Sequence, residues 1–197
     1  MDLAPVAVVR RVMTGLLIGS LTALSAAGAR ANDEDEPRTV EAVDLERYAG
    51  EWYEIARFPN RFQRDCIGDV AATYARRPDG RIDVTNRCRT ADGLTKEARG
   101  VARVVDAETN AKLEVRFAPA ALSFLPFVWG DYWIIGLDPA YQWAVVGSPD
   151  RDYLWILSRT PAVAEADWTT AVGIARAAGF DTGRLVRTRQ SAAAPPG

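Results

Sequence analysis

From residue 51 to residue 158 the chain alternates apolar and polar positions in short runs, each closed by a turn signal. Ile82, Val84 and Asn86 alternate with Asp83, Thr85 and Arg87, the period of two that turns one face of a strand to a core and the other to water. The runs 69–76 and 81–87 flank Pro78-Asp79-Gly80, a strong hairpin signal. Runs at 95–105 and 111–117 follow, and in the second Leu113, Val115 and Phe117 share a face opposite Lys112, Glu114 and Arg116. Three more, 131–137, 142–148 and 153–158, are separated by the breakers Asp138-Pro139 and Pro149-Asp150. With the strand that begins beside Trp52, the pattern predicts eight strands in up-and-down order. Such a meander loses its exposed edges by closing into a barrel with room for one small ligand. A sandwich would give the same pattern.

After Pro161 the period changes. Trp168, Ala171, Val172, Ala175 and Ala178 recur at helical spacing over 163–178, and Gly179 is placed to stop the helix. Residues 185–189 read as a last strand. Upstream, the stretch 43–57 opens with a polar half-turn, reaches Gly50 and then Trp52. A glycine there lets the backbone bend sharply, and the indole fills the space that the bend encloses.

The N-terminus reads as an export signal rather than as fold. Arg10 and Arg11 precede an apolar run over 12–27, and Ala29-Arg30-Ala31 supplies the small residues of a cleavage site after Ala31. The run is short for a membrane span of about 20 residues; a short buried helix is the other reading. The expected organisation is a signal peptide over 1–31, a disordered acidic leader over 32–39, a folded domain over 40–190 and a flexible tail over 191–197.

Charge excludes one class of partner. The full chain has 24 basic and 26 acidic residues. Residues 1–31 hold three Arg and one Asp, leaving 24 − 3 = 21 basic and 26 − 1 = 25 acidic, a net charge of −4. That balance, with the arginines scattered, does not suit a nucleic-acid partner. About 165 residues make one domain with a sizeable core. The chain contains no histidine, which removes the usual serine and cysteine triads, histidine base chemistry and most zinc and haem sites. With neither a phosphate-cradling loop nor a dinucleotide fingerprint, no cofactor, metal site or catalytic residue is expected. Cys66 and Cys88 flank the hairpin centred near Asp79-Gly80, so the residue facing Cys66 is expected to fall close to Cys88. In an oxidising compartment that placement predicts a disulfide; the alternative is a reactive thiol.

Gly50 and Trp52, the distant segment 154–160 ending on Arg159, and the strands between them resemble the lipocalin family over roughly 40–190. The likeness is closer to the bacterial outer-membrane lipocalins and apolipoprotein D. The segment 136–141 keeps an aspartate and a tyrosine but departs from the usual Thr-Asp-Tyr order. The resemblance implies an eight-stranded antiparallel up-and-down β-barrel with a C-terminal α-helix packed outside and a short final strand. It makes Gly50, Trp52 and Arg159 a structural cluster at the closed end, with the guanidinium stacked on the indole. At the other end it lines a cavity with Val70, Ala72, Tyr74, Ile82, Val84, Asn86 and Trp155. A filled apolar core with no ligand is the bland alternative.

The loop 118–130, rich in Phe124, Leu125, Phe127, Val128 and Trp129, is too apolar for an ordinary solvated loop. It reads either as an inward lid or as a transient membrane contact, with Phe127 and Trp129 among the ligand contacts. The expected protein is a periplasmic carrier of a fatty acid or lysophospholipid, a monomer or weak dimer. It is expected to be peripheral at the outer membrane at most and, without a cysteine near Ala31, to carry no lipid anchor. Two other classes stay open: an enzyme acting on a lipid through Cys88, and a protein-interaction module using the 118–130 loop.

Overall fold

A computed structural model describes residues 36–191; the expected signal peptide, the first part of the leader and residues 192–197 lie outside the described residues. Part of the segment expected as leader is held against the barrel. Pro37 is buried, the Val40 amide donates to the Ile134 carbonyl at 3.0 Å, and Glu36 pairs with Lys112.

A single helical turn, α1 (Leu45–Tyr48), is capped by the Asp44 carboxylate, which accepts from the Glu46 and Arg47 amides. Eight strands follow: β1 (Gly50–Arg57), β2 (Cys66–Arg76), β3 (Ile82–Thr90), β4 (Thr95–Val104), β5 (Lys112–Arg116), β6 (Gly130–Leu137), β7 (Trp143–Gly147) and β8 (Leu154–Ser158). Each pairs antiparallel with the next, and β1 closes the barrel by pairing with both β2 and β8. Helix α2 (Glu165–Ala177) and a two-residue strand β9 (Val186–Arg187) complete the chain.

Alternation sorts the apolar residues into two layers. Trp52, Tyr74, Ile82, Val84, Leu113, Ile134, Val146 and Leu157 fill the barrel. Ile55, Phe58, Trp133, Ile135, Trp143, Val145 and Ile156 form a second layer outside it, covered by Ala171 and Ala175 of α2. Strands β6 to β8 are therefore buried on both faces, which is why all five residues of β7 are buried. Strand β4, with no cover, is mostly exposed.

Several boundaries differ from the pattern. Strand β2 begins at Cys66 rather than Asp69, because Asp69 sits at φ 52° in a bulge that the strand continues through. Strand β5 stops at Arg116, leaving Phe117 45% exposed at the rim, its ring over Gly100 of β4. The last strand shrinks to two residues pairing with Ala56 and Arg57 of β1.

Candidate functional site

The end of the barrel under α1 is sealed by interactions that leave little unpaired. The Trp52 indole Nε1 donates to the Tyr48 carbonyl at 2.8 Å, and the Arg159 guanidinium lies 3.9 Å from the Trp52 ring centroid. Arg159 also donates to the carbonyls of Glu51 (2.8 Å), Arg47 (2.6 Å) and Tyr141 (3.3 Å). Gly50, at φ 95°, permits this approach: a Cβ there would sit 3.4 Å from Arg159 Nη1. Deeper in, Tyr132 bonds through its hydroxyl to Tyr48 (2.8 Å) and Tyr74 (2.9 Å). Burial raises all three phenols above their ordinary pKa, Tyr74 to about 12. A void of about 10 Å³ beside Tyr74, Ile82, Leu113 and Tyr132 is the size of one water. This end braces the barrel.

The other half of the interior carries polar groups. Glu54 pairs across the sheet with Leu157 and Arg57 with Trp155, both partners packing toward the barrel core. Glu54, 3% exposed, accepts from Arg57 Nη1 at 2.6 Å, from Gln63 Nε2 at 2.6 Å and from the Thr188 hydroxyl at 2.5 Å. Gln63, on a short 3-10 turn (Arg61–Gln63) between β1 and β2, also accepts through Oε1 from Trp155 Nε1 at 3.1 Å and Asn60 Nδ2 at 2.7 Å. On the facing β3, Asn86 Oδ1 is buried without a hydrogen-bond partner. Residues 188–191 close the seam between β1 and β2 above their pairing. Gln190 Nε2 donates to the carbonyls of Glu54 and Val70, and Ser191 binds Asp69 through its amide and hydroxyl.

The expected lining residues thus divide. Tyr74, Ile82 and Val84 belong to the packed core around Trp52. Val70 is buried beside the Asp69 bulge, while Ala72, Asn86 and Trp155 are half-buried nearer the mouth. Phe127 and Trp129 are not part of the interior. Trp129 lies between Arg103 (4.1 Å) and Arg116 (5.2 Å), which project from the outer faces of β4 and β5, and donates through Nε1 to the Ser123 carbonyl. Arg116 in turn donates to the Ala118 carbonyl. That anchorage holds the loop outward, and Phe124 and Phe127 stand 77% and 79% exposed. Phe62, Ile67, Leu94, Phe117 and Leu122 are exposed at the same end. A lid of 118–130 is not what forms; an apolar rim is.

Glu54, Arg57 and Gln63 were missed. Glu54 had a signal, a carboxylate two residues after the inward Trp52. Arg57 had none, because strict alternation points it outward; a bulge between Glu54 and Ala56 moves Ala56 to the outer layer and Arg57 inside.

Cys66 and Cys88 are joined, with Cα atoms 5.5 Å apart. Among the described residues no group of three or more His, Cys, Asp or Glu is arranged to hold a metal, and no helix is long and apolar enough to cross a membrane.

Residues 43–190 match the family model described as Lipocalin-like domain. The chain is 42% identical over 165 residues to temperature-induced lipocalin-1 of Arabidopsis thaliana, covering 83% of this chain and 88% of that one. It is 42% identical to outer membrane lipoprotein Blc of Escherichia coli K12, over 78% and 85%. Mouse apolipoprotein D is 31% identical over 79% and 81%. Among solved structures, insecticyanin from the tobacco hornworm Manduca sexta superposes with a TM-score of 0.62 at 17% identity, over 78% of this chain and 84% of that one.

Proposed function

The chain belongs to the lipocalin family, and from that premise we propose that it binds and carries a single-chain lipid, a fatty acid or lysophospholipid, in its barrel. The observation that carries this reading is the polarity gradient along the interior. An apolar lower wall including Val84, Ala102, Leu113 and Val146 rises to the polar group at Glu54, Arg57, Gln63 and Trp155. An amphiphile matches that order, tail down and head group near the mouth. Each desolvated methylene contributes about 0.8 kcal/mol. The void beside Tyr74 is only about 10 Å³, so a tail that reaches that depth displaces side chains.

The exposed rim supports a transient contact with a lipid surface, from which such a ligand could be collected. Phe124 and Phe127 would enter the acyl region. An envelope location, in the periplasm and at the outer membrane, agrees with the export signal read in the sequence and with the name of the Escherichia coli relative, an outer membrane lipoprotein. An enzymatic route through Cys88 would need its thiol, which the disulfide to Cys66 consumes.

Native mass spectrometry of the protein purified from the periplasm of its own host, followed by organic extraction, tests the reading. The expected result is a bound mass that extracts as a fatty acid or lysophospholipid. Protein that is ligand-free and takes up neither oleate nor an oleoyl lysophospholipid would overturn it. The exposed loop also favours a second reading, a protein partner docking there; that reading requires Phe127→Asp to abolish partner binding and leave lipid uptake unchanged.

A further inference from the structure

We infer that Arg116 is the floor of an oxyanion site on the outer wall of the barrel, one that takes a phosphate group. The site lies outside the barrel, so the inference does not depend on what the interior carries.

The first observation is a buried charge without a counter-ion. Arg116 is 6% exposed, and among the described residues it is the one basic side chain less than a tenth exposed. Its Nη1 donates to the Ala118 carbonyl, its guanidinium lies 5.2 Å from the Trp129 ring centroid, and its Nε is buried with no partner. None of these contacts brings a negative charge, and a buried charge left uncompensated is costly. The carboxylates along this wall are committed to other arginines. Asp83 pairs with Arg77, Glu97 with Arg99 and Glu114 with Arg103, each at 2.7 Å. With Arg116 that makes four arginines against three carboxylates, a local excess of 4 − 3 = 1 positive charge on a chain whose net charge is −2. An anion from outside the chain supplies what the fold leaves out.

The second observation is a groove at the same place. Strand register sets Thr85 opposite Arg99, and sets Asp83 and Arg116 on either side of Val101, all on the face turned away from the core. Beside them runs an open groove of about 510 Å³, lined by Arg77, Asp83, Thr85, Arg99, Arg116 and Ala120. Asp83 is the one acid in that lining, and Arg77 holds it. What is left to an incoming group is guanidinium and hydroxyl donors, and the planar fork of arginine matches phosphate oxygens. Ala118 and Ala120, which edge the groove, begin the loop that carries Phe124 and Phe127. The phosphate group is therefore either free in solution or the phosphodiester of a phospholipid surface.

The test is a titration of inorganic phosphate into the full protein, followed by proton–nitrogen NMR of the arginine Nε–H groups, with potassium chloride at matched ionic strength as the blank. The Arg116 resonance, identified by its loss in Arg116→Gln, is expected to shift with phosphate, to saturate in the millimolar range and to ignore chloride. Arg116→Gln is expected to weaken phosphate about tenfold, the scale of one hydrogen bond to a charged group. Arg99→Gln, at a side chain 82% exposed, is expected to weaken it about twofold, as for a solvated contact. A response to phosphate that chloride reproduces, or that Arg116→Gln retains in full, overturns the site. Should Arg116→Gln fail to fold, Arg116→Lys identifies the resonance, and the phosphate–chloride difference with the Arg99→Gln comparison decides. Sedimentation with phosphatidylcholine vesicles then separates the sources. A phospholipid surface as the source requires Arg116→Gln to lower the sedimented fraction and inorganic phosphate to compete with the vesicles; equal sedimentation of the two proteins assigns the site to free phosphate.

Discussion

The two ends of this barrel use aromatic residues and arginine for opposite purposes. Under α1, Arg159 and Trp52 meet over one closed hydrogen-bond set, with Tyr48 and Tyr74 buried and Tyr132 half-buried behind them. At the mouth, Arg57 is held by a carboxylate and Trp155 by a loop glutamine, while Phe124 and Phe127 stand exposed. Fully satisfied packing specifies one state. Partners drawn from a loop, beside bare apolar surface, are what the proposed ligand exchange would need. Stability and exchange are kept apart by the length of the strands.

The largest effect that would sharpen this contrast lies at the closed end. Trp52→Ala should cost about 3–5 kcal/mol, read as a lowered denaturation midpoint; a loss below about 1 kcal/mol would mean the two ends are not so divided. Next, Cys66→Ser with Cys88→Ser removes a link across 22 residues at the open end and should cost about 3 kcal/mol. Its mark should be faster amide exchange in the β2–β3 hairpin, with the exchange of β7 and β8 changed least.

The ends should also part company with pH. The three hydrogen-bonded phenols have raised pKa values, so their contribution is complete below the ordinary value of 10 and is lost as pH rises through about 12 for Tyr74. Asp69 runs the other way. The Arg89 bond and the Ser191 amide hold its carboxyl below the ordinary 3.8. Its contribution is present above about pH 4 and lost as pH falls through the lowered value. Tyrosine difference spectra should show the closed end failing in alkali, and amide exchange should show residues 186–191 loosening first in acid.

The smallest thermodynamic effect belongs to Phe127→Asp. Stability should stay within about 0.5 kcal/mol, as for an exposed position, while sedimentation with phospholipid vesicles falls. Unchanged vesicle binding would remove the rim as a membrane contact.

Much of this was legible in the chain. The eight runs of alternation became eight strands, the helix-period residues after Pro161 became α2, and the cysteines flanking the Pro78-Asp79-Gly80 hairpin became a disulfide. What stayed hidden depended on register. One extra residue between Glu54 and Ala56 reverses which side chains enter the barrel, and period-two reading has no means of seeing it. The loop 118–130 was recognisable as unusual. Its direction is set by Arg103 and Arg116, whose position beneath Trp129 depends on how β4 pairs with β5. The Gln190 bridge joins carbonyls 136 and 120 residues away, and no local signal encodes it.

The seam that residues 188–191 close sets an order of events in time. Thr188 donates its amide to Ile55, and Ser191 clasps Asp69 across 122 residues. Strand β1 therefore waits for residues 186–191 before its upper edge is covered. Contacts of that sequence separation slow folding because chain entropy is spent before they form. A growing chain cannot cover that edge before residues 186–191 have left the ribosome, and until then the barrel stays an unclosed sheet.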